Sequence, residues 1–459
     1  MKLKVPAVLD PKFMPLSLVF RAYQEDVSRA VKKNRFVCAI ERSNGHITPW
    51  ETEVFPDGVQ EERTVQLFDR IVKSLLWIHG GFKIKISGSK AVYEHLKDAY
   101  TRNGARSFDT GFMENVYEKD FVVEYHENPE EISTPHENAR SIGRHLDGCR
   151  IGFDAGGSDR KVSAVIDGEA VFSEEVVWHP KITADPAYHY EGILSAMKSA
   201  AQHMPRVDAI GVSSAGVYID NKIKAASLFL KVPTKDFEAK VKNMYIDIAK
   251  EIGDVPLEVA NDGDVTALAG AMNLGDGNVL GIAMGTSEAG GYVDKKMNIM
   301  GWLNELAFVP VDYNTEAMVD EWSGDYGCGV KYFSQDGVIK LAPAANIELE
   351  PTLSPAEKLK VVQKEMEKGN PEAAKLYETI GVYFGYAIAY YALFYDIEHV
   401  LIMGRVTSGQ GGTLLLKKTQ EVLDVEFPEL AAKIQLNIPD EKSRRVGQSV
   451  AAASLPEFK

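Results

Sequence analysis

GFDAGGSDRK, residues 152–161, places a glycine-rich turn between two stretches of apolar residues that are typical of β-strands. Gly156 and Gly157 can adopt backbone angles closed to other residues, so this turn can direct successive N–H groups at a phosphate. Asp154, at the end of the first strand, is placed to hold Mg²⁺ through water. The alternative interpretation is a plain β-hairpin whose glycines serve only the turn.

A second stretch, IAMGTSEAGGYV at residues 282–293, repeats the order strand, glycine-rich turn, strand. Gly285 and Thr286 offer backbone and hydroxyl donors to a second phosphate. Either turn alone is a weak signal, because glycines are common in hairpins. Two such turns in one chain, each after an apolar strand, favour two β-turns that clasp one polyphosphate.

Between these turns, EVANDGDVTALAGAM at residues 258–272 joins a predicted strand to a predicted helix. Asn261 and Asp262 stand at the junction, and an N-cap role for one of them is the simpler interpretation. In the functional interpretation, Asp262 receives the proton of a substrate hydroxyl and Asn261 orients the same substrate. Phosphoryl transfer needs such a group to position the nucleophile.

The order of predicted elements indicates an α/β protein. From residue 149 the pattern gives three short strands, a helix and a buried strand, and a second α/β set follows residue 262. We therefore expect two lobes around a cleft, over residues 149–262 and 263–459. Residues 1–148 show the order β-β-α-β-α and predict an additional N-terminal α/β domain. The polar stretch at residues 126–141 is the expected connection.

Composition excludes several classes of protein. The chain has 459 residues and a formal net charge of −15, which disfavours a general nucleic-acid binder. Residues 1–148 are nearly neutral, with 21 basic and 22 acidic side chains. The three cysteines are far apart, so we expect reduced buried thiols and a cytoplasmic location.

Neither a signal peptide nor a membrane span is predicted. Pro6, Asp10 and Pro11 interrupt any apolar run at the N-terminus, and no small-residue cleavage site follows. The most apolar stretch, residues 383–395, is shorter than the roughly 20 residues that a spanning helix needs. We expect a buried core helix there.

Taken together, the motifs resemble the ROK family of sugar kinases and repressors, which share the actin-like ATPase (ribonuclease H-like) fold with hexokinases. The resemblance covers residues 149–459. The segments that carry it are GFDAGGS (152–158), GVSSAGVYID (211–220), VANDGDVTALAG (259–270), GTSEAGGYV (285–293), IMGRVTSGQGG (402–412) and VGQSVAAASL (446–455).

This resemblance implies an enzyme that uses ATP and Mg²⁺ to phosphorylate a hydroxyl of a sugar or sugar-like compound. It implies that Asp262 is the catalytic base. The implied sugar-binding residues are Asn261, Glu305 and Gly216. The implied nucleotide-side residues are Asp154, Gly156, Gly157, Ser158, Gly285, Thr286 and Gly404. The expected partners are the sugar, ATP and, as one option, a second copy of the chain, without nucleic acid or membrane.

The chain also departs from the family pattern. Where the family has Gly-Glu-x-Gly-His, this sequence has Asn304 to Phe308, so Phe308 stands in place of a histidine that contacts sugar and zinc. The segment that resembles the family's zinc site keeps one thiol, with Glu321, Ser323 and Cys328 at the three cysteine positions. We therefore expect no structural zinc, since a closed site needs four good ligands.

The nucleotide-side motifs are altered as well. Ser287 and Glu288 interrupt the glycines of the second turn, and an acid there repels phosphates unless it faces away or meets Mg²⁺. Arg405 replaces a glycine in the adenosine-side motif. These changes leave a sugar-binding sensor or scaffold without turnover as the alternative function. A DNA-binding repressor is disfavoured, because residues 1–148 lack a basic helix-turn-helix.

Overall fold

The computed structural model describes residues 2–137, 142–439 and 441–458. Two compact units are present. Unit 1 comprises Met1–Asn138, Ile282–Gly290 and Trp302–Leu436, and unit 2 comprises Ala139–Gly281, Gly291–Gly301 and Asn437–Lys459. The predicted domain boundaries at residues 148 and 262 stay a prediction. Residues 138–141, the end of the expected connection, lie outside the described residues.

The N-terminal part of unit 1 is an α/β module. Its elements are α1 (Leu16–Ser28), β1 (Asn34–Glu41), β2 (Ile47–Val54), α2 (Glu61–His79), β3 (Lys83–Ser87), α3 (Lys90–Ala99), α4 (Ser107–Tyr117) and β4 (Val122–Tyr125). The strands form one sheet in the order β2-β1-β3-β4. The predicted order β-β-α-β-α is confirmed, and α1, α4 and β4 are additional elements.

Unit 2 contains the first glycine-rich turn. Its elements are β5 (Cys149–Ala155), β6 (Asp159–Ile166), β7 (Glu169–Val177), α5 (Pro186–Ala201), β8 (Ala209–Ser214), β9 (Val217–Ile219), β10 (Lys222–Ala225), α6 (Thr234–Asp236), α7 (Met244–Ile252), β11 (Leu257–Asn261) and α8 (Asp262–Leu274). The main sheet has the order β11-β8-β5-β6-β7, in which β5 and β8 are parallel and β5, β6 and β7 are antiparallel. β5, β8 and β11 therefore end at one edge of the sheet, where parallel strands present their polar ends.

The remaining elements follow residue 278. They are β12 (Val279–Met284), β13 (Glu288–Val293), α9 (Gln335–Leu341), α10 (Pro355–Glu367), α11 (Pro371–Tyr391), β14 (His399–Met403), α12 (Gly409–Glu426), α13 (Pro428–Ala431), β15 (Gln435–Asn437) and α14 (Glu441–Ala453). A sheet of order β13-β12-β14-β15 joins the strands. As predicted, Asn370 caps α11, and this apolar helix is buried along most of its length.

Cys38, Cys149 and Cys328 are all buried, as predicted. Within the described residues, every helix is too short or too polar to cross a membrane.

Candidate active site

Asp154 is the acidic residue of β5 and lies at the edge of the sheet in unit 2. It is only 8% exposed, and the register places it opposite Ser213 on the parallel strand β8. The Ser213 hydroxyl donates to Asp154 Oδ1 over 2.9 Å. Gln448 of α14 donates to the Ser213 hydroxyl oxygen over 3.2 Å and reaches Asp154 Oδ1 at 3.5 Å. The carboxylate is therefore held in one orientation.

The glycines of the turn after Asp154 are closely packed on one side. Neither Gly156 nor Gly157 has a positive φ, so the turn does not use the left-handed angles that glycine permits. A Cβ on Gly156 would lie 2.7 Å from the Asp159 carbonyl oxygen, and one on Gly157 would lie 2.6 Å from Lys181 Cε. Ser158, the next residue, is exposed.

A tryptophan from the segment after β7 fixes this turn. Trp178 Nε1 donates to the Gly156 carbonyl over 2.8 Å, and its backbone N–H donates to the Ser158 carbonyl over 3.1 Å. The same segment carries Lys181, whose Nζ would be 2.9 Å from a Cβ on Gly157. Sequence reasoning missed Lys181, because only the fold brings this exposed lysine beside the turn.

Asn261 ends β11 and is the N-cap of α8. Its Oδ1 accepts from the Gly263 N–H over 2.8 Å, so the simpler N-cap interpretation describes this side chain. Its Nδ2 donates to the Gly216 carbonyl over 2.8 Å. Gly216 has a φ of 142°, and a Cβ there would lie 2.4 Å from the Ala225 carbonyl oxygen. The fold thus brings together two of the three predicted sugar-binding residues.

Asp262 is the first residue of α8. Burial raises the pKa of its carboxyl, and hydrogen bonding to the Gly263 N–H and the charge of Lys181 oppose that rise. Burial, and then the charge of Asp262, raise the pKa of Asp154 to about 6. Two carboxyl groups with raised pKa values therefore share one edge of the sheet with a lysine. Such perturbed groups are typical of sites for proton transfer or cation binding.

The polar end of β8 lies within the segment GVSSAGVYID, for whose two serines the sequence predicted no role. Ser213 and Ser214 are fully buried, and Ser214 accepts hydrogen bonds from Tyr218 at 2.6 Å and Tyr245 at 3.1 Å. Burial raises the pKa of both phenols well above the usual value. These hydroxyls keep the strand end polar without adding a charge to it.

The second glycine-rich turn lies in unit 1. The Gly285 N–H donates to the Ser287 carbonyl over 3.0 Å, and the Gly285 carbonyl accepts from the Gln335 N–H over 2.9 Å. Thr286 is exposed, and its hydroxyl oxygen accepts from Gln335 Nε2 over 3.3 Å. The Gly285 amide is therefore used within the turn, while the Thr286 hydroxyl can still donate.

Glu288 interrupts the glycines of this turn, and it faces the interior of unit 1. Its side chain is buried, with Oε1 accepting from the Tyr391 hydroxyl over 3.4 Å and Oε2 lacking a hydrogen-bond partner. Burial, and then the charge of Glu305, raise the pKa of Glu288 to about 8. An acid that points away from the turn does not repel a phosphate bound at its outer side.

Gly404 follows β14 and lies against the end of β12. Its φ is 101°, and a Cβ there would lie 2.3 Å from the Met284 carbonyl oxygen. This close approach requires glycine whether or not adenosine binds nearby. Arg405, next in the chain, is exposed and leaves this packing undisturbed.

The segment around Glu305 is attached to the N-terminal module. Glu305 is half-buried, and its N–H donates to the Trp77 carbonyl over 3.1 Å. The Phe308 ring packs on the Trp77 ring with 4.4 Å between centroids. A phenylalanine at this position therefore fills an aromatic contact instead of binding a ligand.

The three positions that resemble the family's zinc cysteines have separate partners. Glu321 forms an ion pair with Lys331, and the Ser323 hydroxyl donates to Asp320 over 2.6 Å. Cys328 Sγ lies 3.9 Å from Lys73 Nζ. Burial raises the pKa of the Cys328 thiol, which disfavours the thiolate that zinc binding requires.

Comparison with protein families places this geometry in a known group. The model of the ROK family matches residues 150–450. The chain belongs to the ROK family. No curated protein matches the chain significantly.

Several solved structures are similar to this chain. A ROK hexokinase from Thermus thermophilus is 17% identical, with a TM-score of 0.51, over 66% of this chain and 97% of that one. A ROK transcriptional regulator, a homologue of the E. coli MLC protein, is 17% identical, with a TM-score of 0.51, over 67% of this chain and 79% of that one. A ROK glucokinase from Streptomyces griseus, solved with glucose and AMPPNP, is 20% identical, with a TM-score of 0.46, over 66% of this chain and 99% of that one.

The first two similarities confirm the predicted fold class, an actin-like ATPase fold preceded by an additional α/β region. Their sequence identity is low, so they establish the fold and leave the activity to the site. ROK proteins include sugar kinases and transcriptional regulators, and both kinds occur among these structures.

Proposed function

We propose that this protein is an ATP-dependent kinase that phosphorylates a hydroxyl of a sugar or sugar-like compound. The observation that supports it best is the arrangement at one sheet edge in unit 2. There, Asp154, Asp262 and Lys181 interact through their charges beside a glycine turn in which a side chain on Gly156 would collide with the backbone of Asp159. Phosphoryl transfer needs a proton acceptor, a cation site and donors for phosphate oxygens, and each has a candidate here.

In this proposal Asp262 accepts the proton of the attacking hydroxyl. Burial raises the pKa of its carboxyl, which makes it a stronger base than an exposed aspartate. The charge of Lys181 opposes part of this rise. The N-cap bond of Asn261 fixes the start of α8 and thereby the direction of the Asp262 side chain.

Asp154 is the proposed residue for Mg²⁺, through a bound water. The donor set fits a hard cation, because both hydrogen bonds from Ser213 and Gln448 reach Oδ1 and Oδ2 faces neither donor. The raised pKa of about 6 also fits, since a nearby positive charge would relieve the repulsion by Asp262. When bound, the ion would neutralise charge on the phosphates.

Lys181 is the proposed phosphate contact that the sequence did not reveal. Its side chain is exposed, and its ammonium lies beside the Gly157 backbone. Trp178 holds the segment that carries Lys181 against the turn. The lysine backbone is therefore fixed, while its long side chain can move with a ligand. We assign it to the transferred phosphate group or its neighbour.

In unit 1, we assign Gly285, Thr286 and Gly404 to the nucleotide side. The Thr286 hydroxyl is the donor that the turn offers, because the Gly285 amide is used internally. We assign Glu305 to a sugar hydroxyl, as the family resemblance implies. The inward orientation of Glu288 removes the acid that would otherwise oppose this arrangement.

The test is ADP release by the purified protein with ATP and Mg²⁺ across a panel of hexoses and N-acetylhexosamines. Sugar-dependent ADP release that is lost in Asp262→Asn supports the proposal. The second candidate is a sugar sensor without turnover, which is favoured by Phe308 in place of the expected histidine. Calorimetric sugar binding without ADP release in any member of the panel would establish that candidate instead.

A further inference from the structure

The C-terminal turn of α2 contacts the backbone of the segment that contains Glu305. Three consecutive amides of this segment donate to three consecutive helix carbonyls. Leu303 N–H donates to His79 O over 3.3 Å, Asn304 N–H to Ile78 O over 2.9 Å, and Glu305 N–H to Trp77 O over 3.1 Å. These hydrogen bonds join the backbone at the end of α2 to the backbone of residues 303–305.

These bonds satisfy groups that a helix end leaves unpaired. The last carbonyls of an α-helix lack intrahelical donors and need another source. Leaving a buried backbone group without a partner costs about 1–3 kcal/mol. The 303–305 amides therefore complete the helix, and the helix carbonyls fix the path of residues 303–305. Asn304 is held at a positive φ of 52° within this contact.

Side chains reinforce the same contact. The fully buried Trp77 ring packs against the Phe308 ring in a tilted arrangement, and Trp77 Nε1 donates to Asp109 over 3.0 Å. His79 meets the Trp302 ring edge to face with 4.4 Å between centroids. Aromatic contacts therefore flank residues 303–305 on both sides.

Earlier in α2, two basic side chains bind the neighbouring segment that contains Asp325. Arg70 and Lys73 donate to the Asp325 carboxylate at 2.7 and 2.5 Å. Beyond Asp325 the chain pairs with the continuation of the Glu305 segment, through Gly329 N–H to Val309 O at 2.9 Å and a bridge between Pro310 and Cys328. Helix α2 thus fixes both chains of this pair.

We propose that α2 of the N-terminal module positions the Glu305 segment for sugar binding, with Trp77 as the main positioning residue. This inference rests on the proposed function, in which Glu305 binds a sugar hydroxyl. The additional module then has a defined use, because residues 70–79 supply the partners that set the path of residues 303–308. Trp77 itself touches no reacting group.

The test compares Trp77→Leu with Phe68→Leu, a matched change on the same helix. Phe68 is also fully buried and aromatic, but its ring contacts are with Tyr23, Phe36 and Trp50 of the N-terminal module. Both variants lose a buried ring. Only the first loses the contact with the Glu305 segment. Trp77→Phe keeps a ring and serves as the conservative rescue.

The first readout is amide hydrogen exchange of the full chain, which needs no ligand. We expect the amides of residues 303–305 to exchange at least about tenfold faster in Trp77→Leu, with near-normal protection in Trp77→Phe and Phe68→Leu. Unchanged protection in a folded Trp77→Leu protein would overturn the inference, and so would equal loss in Phe68→Leu.

The second readout is the KM for the best sugar of the panel. We expect Trp77→Leu to raise it about tenfold or more while the KM for ATP stays within about twofold, because only the sugar-side segment is displaced. An unchanged sugar KM would overturn the positioning role even though the kinase proposal stands. If wild-type protein releases no ADP with any sugar, the proposed function fails. The exchange measurement then still decides whether α2 orders the segment.

Discussion

Replacing Glu288 by Gln should stabilise the protein, and by an amount that grows with pH. Glu288 is 3% exposed, its Oε2 has no hydrogen-bond partner, and its pKa is raised to about 8 from an ordinary 4.5. The folded state therefore binds this proton more tightly than the unfolded state does. Its contribution to stability is fully present below about pH 4.5 and is lost as the pH rises toward 8. A glutamine of nearly the same shape cannot ionise.

The magnitude follows from the two pKa values. Each pH unit between them lowers the unfolding free energy of the wild type by about 1.4 kcal/mol. The Gln variant should thus match the wild type near pH 4.5, exceed it by about 3 kcal/mol at pH 7, and level off near about 5 kcal/mol above pH 8. An advantage of this size at pH 7 is a large fraction of the total stability of a typical domain.

The assay is urea unfolding at several pH values between 5 and 8.5. Tryptophan fluorescence mainly reports unit 1, because Trp50, Trp77, Trp302 and Trp322 belong to it and only Trp178 lies in unit 2. Glu350→Gln is the control, since Glu350 is exposed. A gap between Glu288→Gln and wild type that is the same at pH 5 and pH 8 would refute the reasoning. A gap of equal slope in the control would refute it too.

Three further outcomes are expected. Asp262→Asn should leave sugar binding nearly intact and lower kcat by about 10² to 10⁴, because only the proton acceptor is lost; an unchanged kcat would remove Asp262 from the mechanism. Lys181→Ala should raise the KM for ATP by about tenfold and move the acidic limb of the pH–rate profile upward, since Lys181 lowers the pKa of Asp262. Equal effects in Lys222→Ala, an exposed lysine of the same unit, would argue against this contact. Asp325→Asn should cost about 3–5 kcal/mol in urea unfolding by leaving buried cations uncompensated, whereas breaking the exposed Lys12–Glu316 pair should leave the urea midpoint almost unchanged.

The fold was largely predictable because its signals are local. The apolar run of β1, the alternating residues of β3 and the Asn-Pro start of α11 depend on neighbours within one element. In the N-terminal module two helices were missed, α1 and α4. Both begin without a side-chain cap, since Pro15 and Arg106 occupy the N-cap positions.

The sequence predicted residues of the candidate site only where their position in a motif, at the end of a strand or the start of a helix, determines where they lie. Asp154 and Asp262 stand at strand and helix ends that the sequence marks, and the parallel register brings those ends to one edge. Lys181 carries no such mark. Its place beside the site comes from contacts between residues far apart in the chain, and periodicity and capping rules describe only neighbours within one element.

The Glu305 segment shows why a list of altered residues can mislead. From the sequence, Phe308 and the missing cysteines mark a site that has lost its support. In the structure, Phe308 packs against Trp77, while the buried carboxylate of Asp325 accepts from Arg70, Lys73 and Arg106. Burial alone would raise the pKa of Asp325, but these cations hold it well below its usual range. Trp77 and two of the three cations belong to α2, so a helix of the N-terminal module packs against the segments in which the sequence departs from the family pattern.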